Sequence, residues 1–259
     1  MEPVTISNLL KLRNAWLKGD AGDHETADAR ADISRRISHD YPVFEDVRDH
    51  LIANSDAYLR GQKSDSHPLQ AEGTALLEVL LAANLAFRNP EGTAVCELEG
   101  RKYLSGGWLE ELAWLAIREA GADEAIFGQV LGWKVKEYSG ENEIDVIARK
   151  GSALAFVSCK ALRSMFDVHD RKHRNRLMDA VHEADNLTDH FGRGGEKVAV
   201  LVTTDLFDEM RGVARYNALM GKAAVLDVRI IPLEELDWHK LVDAMRCLWD
   251  TTAQEREKI

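Results

Sequence analysis

The chain lacks an excess of basic side chains. Its 259 residues contain 33 Lys and Arg against 44 Asp and Glu, which gives a net charge of -11. Proteins that coat nucleic acid indiscriminately owe most of their affinity to cations that neutralise phosphates, so this composition disfavours that class. The 45% of hydrophobic and 30% of charged residues are typical of a globular protein with a real core.

Cysteine is scarce, and long apolar runs are missing. Cys96, Cys159 and Cys247 are odd in number, far apart and in no CxxC pair, which argues against a disulfide framework and against a zinc ribbon. No run of about 18 apolar residues occurs, and the first residues show no basic stretch followed by an apolar one. The sequence therefore predicts a cytoplasmic protein with no membrane partner and no secretion signal.

Proline is almost missing after residue 90. Four of the five prolines come earlier, and the fifth is Pro232. Because proline removes a sheet donor and breaks helices, the proline-free stretch suits a sheet with packed helices. Residues 1–99 also carry 17 acidic against 10 basic side chains. We therefore expect a helical N-terminal domain of unknown role at residues 1–95 and a second domain at residues 100–250.

Apolar periodicity and turn residues predict the elements of both parts. In the first part they predict helices at residues 5–18, 26–39, 43–60 and 71–87. In the second part they predict helices at 107–120, 170–191, 206–220 and 235–249, and strands at 130–138, 142–149, 153–160, 197–203 and 225–231. The first three strands should form an antiparallel meander. This order indicates an α/β fold, a mixed sheet flanked by helices and preceded by a small all-α region.

Two neighbouring strands carry candidate catalytic side chains. Glu143 and Asp145 lie on one face of the strand NEIDVIAR, because side chains alternate along a strand. Lys160 ends the next strand, and antiparallel pairing can bring Asp145 close to Ser158 and Lys160. A carboxylate beside a lysine can hold a divalent cation and activate water. The alternative is a simple ion pair at the sheet edge.

A carboxylate on the preceding helix is the third candidate. Glu110 shares a helix stripe with Ala113, Trp114 and Ile117, which predicts that Glu110 points inward and Glu111 points to solvent. The alternative is that both are first-turn acids favoured by the helix dipole. The tryptophans in apolar patterns are predicted to be core or interface anchors rather than base-stacking platforms. They are Trp108, Trp114, Trp133 and Trp238.

In this order, the helical glutamate, the strand aspartate and the strand-end lysine resemble the PD-(D/E)XK restriction-endonuclease-like fold. The segments YLSGGWLEELAWLAI, NEIDVIARKGSALAFVSCK, GRGGEKVAVLVTT and VARYNALMGKAAVLDVRIIPLEEL look like the nuclease domain of the CARF-type CRISPR-ancillary effectors. In those effectors a CARF sensor domain binds cyclic oligoadenylate and switches on DNA or RNA cleavage. The resemblance covers residues 100–248, and residues 1–99 show no recognisable CARF sensor.

The resemblance implies a metal-dependent endonuclease. It makes Glu110 and Asp145 ligands of Mg²⁺ or Mn²⁺, with the backbone carbonyl of Cys159 as a further ligand, and Lys160 the cation that orients water or stabilises phosphate charge. Hard oxygen ligands suit these ions. The family pattern expects an acidic residue where this chain has Ser158, which puts cleavage in question. Glu143 is the candidate replacement for that missing charge.

A basic segment follows Lys160. Residues 160–176 carry six basic and two acidic side chains, a local charge of +4. We expect this segment to hold the phosphate backbone beside the cut, although a solvated helix face is nearly as good an interpretation. Its candidate nucleic-acid-binding residues are Arg163, Arg171, Lys172, Arg174 and Arg176.

No nucleotide cofactor is expected. The sequence GRGG at residues 192–195 lies between a predicted helix and a predicted strand, and it lacks the pattern of a P-loop and the strand-first context of a dinucleotide motif.

The sequence thus predicts a Mg²⁺- or Mn²⁺-dependent nuclease of prokaryotic antiviral defence that cleaves DNA, with RNA as the alternative substrate. A homodimer is expected from the way such nucleases cut two strands, and the acidic N-terminal region is expected to contact a protein partner. One rival is a catalytically impaired nuclease-fold protein that binds nucleic acid or serves in assembly. Another is a strand-cleaving subunit of a transposition or repair complex.

Overall fold

A computed structural model describes residues 4–191 and 196–249. The GRGG segment of residues 192–195 lies outside these ranges. The helices are α1 (Ile6–Lys11), α2 (His24–Ala29), α3 (Ala31–His39), α4 (Tyr41–Leu59), α5 (Ala71–Ala82), α6 (Leu98–Lys102), α7 (Trp108–Glu119), α8 (Arg171–Phe191), α9 (Asn217–Val225) and α10 (Trp238–Cys247). A π-helical turn (Tyr103–Gly107) precedes α7, and a 3-10 turn (Leu233–Glu235) precedes α10.

The strands are β1 (Ala15–Lys18), β2 (Phe87–Arg88), β3 (Ala94–Val95), β4 (Glu124–Val135), β5 (Tyr138–Lys150), β6 (Ala153–Lys160), β7 (Lys197–Val202), β8 (Phe207–Asp208), β9 (Val213–Ala214) and β10 (Val228–Ile231). Six of them form one sheet in the order β1-β4-β5-β6-β7-β10. The pairs from β1 to β6 are antiparallel, whereas β6, β7 and β10 run parallel. This confirms the predicted mixed sheet with flanking helices and a helical region before it.

The structure changes several of the predicted elements. The helix predicted at 26–39 is divided into α2 and α3, the helix predicted at 71–87 ends at Ala82, and the strand predicted at 130–138 begins at Glu124. Two further changes turn part of a predicted helix into strands. The helix predicted at residues 5–18 ends at Lys11, and residues 15–18 instead form β1, which pairs with β4 in the main sheet. The helix predicted at 206–220 begins only at Asn217, because residues 207–214 form a small hairpin. Both segments are short, and periodicity alone does not separate a helix from a strand over so few residues.

Helix α7 forms where the sequence predicts it. Two acids in its first turn suit the helix dipole. Its end is set by Gly121, whose φ of +90° is the left-handed conformation that glycine adopts without strain. The amide groups of Gly121 and Ala122 donate to the carbonyl groups of Arg118 and Ile117, and these bonds satisfy two carbonyls at the helix end.

Two hydrophobic cores cover the two faces of the sheet. One contains α7 together with apolar residues of the N-terminal helices, and the other contains α1 and α8. Trp108 and Trp114 are buried as predicted, whereas Trp133 and Trp238 are partly buried against these cores. Within the described residues, no helix combines the length and apolarity needed to span a membrane.

Candidate active site

The candidate site lies where β5 and β6 separate. Backbone pairing between them reaches Val146 and Val157 and then stops. One residue beyond, the Oδ2 atom of Asp145 accepts a hydrogen bond from the backbone N–H of Cys159 at 2.6 Å and from the Ser158 hydroxyl at 3.3 Å. The Asp145 carboxylate therefore accepts a backbone N–H of β6 that no longer pairs with β5. This bond holds Asp145 beside Ser158, as the strand register predicts.

Glu110 of α7 reaches the same place from the neighbouring layer. Its Oε2 atom lies 3.9 Å from the point where a Cβ on Gly128 of β4 would stand. Burial, and then the charges of Asp145, Glu143 and Glu111, raise the pKa of Glu110 to about 8. Within residues 4–191 and 196–249, no donor forms a hydrogen bond to this carboxylate. Glu110 is thus an inward carboxylate, as its helix stripe predicts.

The pKa of Asp145 is raised as well. Burial raises the pKa of Asp145, and the Cys159 N–H and the Lys160 charge offset only part of that shift. Glu143 is exposed, yet its charge raises the pKa of both Asp145 and Glu110. The structure therefore gathers the three carboxylates closely enough to repel one another.

Lys160 lies beside this group and has a partner that the sequence analysis missed. Its Nζ atom forms an ion pair with Glu183 of α8 at 2.8 Å. Burial alone would lower the pKa of Lys160, but the hydrogen bond to Glu183 and the charges of Glu183 and Asp145 raise it. The available signal was the position of Glu183, which borders the apolar stripe of α8 three residues after the buried Ala180.

The prediction that Glu111 points to solvent is wrong. Glu111 is 7% exposed, and its Oε1 atom lies 3.3 Å from the guanidinium of Arg30. Burial raises the pKa of Glu111 to about 7, although Arg30 acts in the opposite direction. The reason is tertiary: α2 and α3 cover the side of α7 that the helix pattern alone assigns to water.

The basic segment runs from the loop after β6 into α8. Arg163 is 73% exposed and its guanidinium lies 4.0 Å from Asp49. Of the two acids in the segment, Asp167 accepts the backbone N–H of His169, and Asp170 accepts that of His173. As far as the structure describes the chain, four basic side chains on the first turns of α8 form no ion pair. They are Arg171, Lys172, Arg174 and Arg176.

The donor set suits a hard cation. Glu110 and Asp145 supply carboxylate oxygens, and the Glu110 carboxylate has no compensating donor within the described chain. No group of three or more His, Cys, Asp or Glu side chains that could hold a metal ion occurs in the same part of the chain. A third protein ligand would therefore have to come from the backbone, or from Glu143 after a change of rotamer.

Comparisons with known proteins concern the family and the fold of the chain. A family model described as "Card1-like, endonuclease domain" matches residues 96–237. This match confirms the resemblance to a CRISPR-ancillary nuclease domain that the motifs indicate. A search of curated proteins finds no match.

Two solved structures share the fold. Protein VC1899 from Vibrio cholerae superposes with a TM-score of 0.71 at 16% identity, over 95% of this chain. Can2 from Sulfobacillus thermosulfidooxidans, solved in complex with cyclic tetra-adenylate, superposes with a TM-score of 0.57 at 17% identity, over 94% of this chain. The matching part makes up 62% of the length of each of these two chains.

Proposed function

The chain belongs to the Card1-like endonuclease domain family, and we propose on that premise that it is a divalent-metal-dependent nuclease that cleaves DNA in CRISPR-linked defence, with RNA as the alternative substrate. The observation that carries the proposal is the convergence of Glu110, Asp145 and Lys160 from three separate elements. Family membership supports endonuclease chemistry, and the carboxylates support a metal-dependent form of it.

Mg²⁺ or Mn²⁺ would be held by Glu110 and Asp145, with the backbone carbonyl of Cys159 as a further ligand. When bound, such an ion polarises the scissile phosphate and lowers the pKa of a bound water. It would also relieve the repulsion from Asp145 and Glu143, which adds to the effect of burial in raising the pKa of Glu110 to about 8. The fit rests on the Glu110 carboxylate, which accepts no hydrogen bond within the described chain, on the neighbouring Asp145 carboxylate, and on the preference of both ions for hard oxygen ligands.

The remaining groups position the reaction. The Cys159 N–H and the Ser158 hydroxyl hold one oxygen of Asp145, which leaves its other oxygen available as a metal ligand. Lys160 places a positive charge beside the carboxylates, where it neutralises charge on a phosphate. Glu183 holds the Lys160 ammonium at 2.8 Å and so restricts its range of positions.

The basic side chains of the segment 163–176 supply the phosphate contacts in this proposal. Lys172, Arg176 and Glu183 lie at positions i, i+4 and i+11, which fall on one face of α8. A backbone bound along this face is led toward Lys160. Apart from Arg163, these cations form no ion pair within the described chain, which supports their use for an external anion.

The same premise bears on the oligomeric state, the protein partner and the activator of the chain. A homodimer would cut both strands of a duplex. The acidic N-terminal region would dock a protein partner. A pocket of about 510 Å³ between α4 and the loop before α5 supports this, because four acidic residues line it: Asp46, Asp49, Asp65 and Glu72. Can2 is seen with cyclic tetra-adenylate, which motivates including that compound as a candidate activator.

The test is a cleavage assay on plasmid, single-stranded DNA and RNA with Mn²⁺, with and without cyclic tetra-adenylate. We expect the wild type to cut and the variants Glu110→Gln, Asp145→Ala and Lys160→Ala each to have lost that activity. Glu119→Gln serves as the matched control, because Glu119 is exposed on the same helix as Glu110. Wild-type protein that cuts no substrate under any of these conditions would refute the proposal.

The alternative function is a catalytically impaired nuclease-fold subunit for binding or assembly, and Ser158 is the observation that favours it. Its hydroxyl donates to Asp145, and a neutral oxygen is a weaker metal ligand than a carboxylate. Ser158→Glu should tighten Mn²⁺ binding, measured by titration calorimetry, if the metal site has the proposed geometry. An unchanged titration contradicts that geometry.

A role in transposition or repair would use the same site and differs only in substrate.

A further inference from the structure

A second positively charged surface lies at the edge of the sheet formed by β1. A pocket of about 440 Å³ is lined by Lys11, Asn14, Ala15, Trp16, Lys134 and Lys136. Among the residues that the structure describes, no carboxylate lines this pocket, and none of its three lysines forms an ion pair. Three unpaired cations at one place are unexpected in a chain of net charge -11.

An exposed aromatic ring lies among these lysines. Trp16 is 43% exposed and pairs with Gly132 of β4. A Cβ on Gly132 would come within 2.5 Å of the Trp16 indole, so the ring lies directly over the glycine backbone. Lys134 is two residues beyond Gly132 and therefore stands on the same face as the indole. The backbone thus supports one face of the ring and leaves the other open to a ligand.

This face leads to the candidate active site. Residues directly opposite in antiparallel strands share a face, and the register places Lys18 opposite Val130 and Val130 opposite Glu143. Glu143 is one of the carboxylates whose charge acts on Glu110. From Gly132 to Gly128, which lies beside Glu110, the distance along β4 is about 13 Å at ~3.3 Å per residue.

We propose that Trp16, with Lys11, Lys134 and Lys136, forms a binding surface for single-stranded nucleic acid. A nucleobase stacks on the open face of the indole, and the ammonium groups contact the flanking phosphates. A base is available for stacking only when it is unpaired, which selects a single strand or a frayed end over an intact duplex. This surface is a second nucleic-acid contact outside the carboxylate site, and its role in delivering a strand to that site rests on the proposed nuclease function.

Other anions fit the surface less well. An acidic peptide would satisfy the lysines but would leave the indole with no planar partner. A free polyphosphate has the charges and no ring. Both remain outcomes of the test, because they predict a different dependence on Trp16 from that of a base.

Binding is measured by fluorescence anisotropy of labelled single-stranded DNA and RNA with the full chain in EDTA, so that no cutting interferes. We expect Trp16→Ala to weaken binding about tenfold, and Trp16→Phe to retain most of it. Lys134→Gln should reduce the slope of log affinity against log salt by about 0.7, the value for one phosphate contact on a single strand. Gly132→Ala keeps every charge and the indole, but it displaces the ring and should weaken binding as Trp16→Ala does.

Matched controls are available elsewhere on the surface. Tyr58→Ala removes an aromatic ring that is 46% exposed on α4, and Lys63→Gln removes an exposed lysine. Both should bind as the wild type does. Wild-type affinity in Trp16→Ala and Gly132→Ala overturns the proposal. An equal loss by Trp16→Ala on a strand without bases overturns the stacking and leaves a phosphate or acidic-peptide surface instead.

The result separates this surface from the proposed nuclease. Binding that depends on Trp16 in a protein that does not cut would support the surface and refute the cleavage. Cutting and binding that are unaffected by Trp16→Ala would refute the surface and leave the nuclease proposal intact. Thermal unfolding of each variant checks its fold, and the conservative Trp16→Phe and Lys134→Gln keep the test valid if Trp16→Ala does not fold.

Discussion

At the scale of single residues, the arrangement around Lys160 is the most specific feature of this molecule. The lysine has carboxylates on two sides: the Glu110 and Asp145 pair, and Glu183 on α8. Of these carboxylates, Glu183 is the one that forms an ion pair with the lysine, at 2.8 Å. A lysine held by a surface glutamate has a defined position before substrate arrives, and this argues that Glu183 acts through Lys160.

We predict that Glu183→Ala lowers the rate of cleavage by about ten- to a hundredfold, because small errors in the position of a catalytic group can cost that much. Oligonucleotide binding in EDTA should be retained, since only a negative charge is removed. Glu183→Asp should restore part of the rate. Single-turnover kinetics and anisotropy measure the two effects.

Asp179→Ala is the matched control for this prediction. Asp179 is exposed, lies one turn before Glu183 on α8 and forms no ion pair with any residue in the described ranges. Equal rates in the wild type, Asp179→Ala and Glu183→Ala would show that the ion pair with Lys160 is an ordinary surface contact.

At the scale of elements, a second pair of interacting acids joins the connection between β7 and α9, which contains Asp205, to the 3-10 turn before α10. Glu234, in the 3-10 turn, accepts the backbone N–H of Phe207 in β8. Burial, and then the hydrogen bond with Asp205, raise the pKa of Glu234 to about 7. Arg215 also pairs with Asp205 at 3.0 Å. The hairpin that replaces the predicted helix is therefore tied to the turn before α10 by contacts that include one group, Glu234, with a pKa near neutral pH.

This link predicts a pH dependence of stability. The pKa of Glu234 is raised in the folded state from 4.5 to about 7, so its contribution to stability is fully present below about 4.5 and is lost as the pH rises through about 7. Urea unfolding at several pH values should show this loss in the wild type. Glu234→Gln stays neutral and should lack this part of the pH dependence.

The difference between wild type and Glu234→Gln is the quantity to follow, because Glu110 and Glu111 also have raised pKa values. Those two residues are unchanged in the variant, so their effect cancels in the difference. A difference in unfolding free energy that is the same at pH 5 and pH 8 would contradict the interpretation.

At the scale of the whole molecule, one hydrophobic core joins the N-terminal helices to α7. The Trp108 ring stacks on Tyr41 at 5.5 Å and meets Phe44 edge-on at 5.6 Å. The Tyr41 hydroxyl also donates to the carbonyl of Leu162, beyond the end of β6. The division into residues 1–95 and 100–250 stays a prediction, and this shared core makes it testable as a question of cooperativity.

We predict that the protein unfolds in one transition. Trp108→Ala should lower its free energy of unfolding by about 3–5 kcal/mol, the usual cost of removing a buried tryptophan. Chemical unfolding followed by circular dichroism and by fluorescence should give coincident curves. Leu59→Ala is the control, since Leu59 is 78% exposed on α4. Two separate transitions, with only one of them sensitive to Trp108→Ala, would instead support an independent helical domain.

The main features of the fold and of the candidate site are predictable from the sequence because they depend on local pattern. The end of α7 at Gly121, the three-strand meander and the inward position of Glu110 all follow from periodicity, polar turns and one glycine. The pairing of Asp145 with Ser158 follows from the short turn between β5 and β6. These are contacts between residues that are close in the chain or in register.

The sequence by itself therefore determined the fold class and the position of the carboxylates and the lysine along their elements. Only the tertiary structure decided which distant groups meet them. Glu183 reaches Lys160, Arg30 covers Glu111, and β1 carries Trp16 onto Gly132, across separations of 23, 81 and 116 residues. Side-chain periodicity states which face of an element a residue occupies, but the layer that packs on that face depends on burial summed over the whole chain.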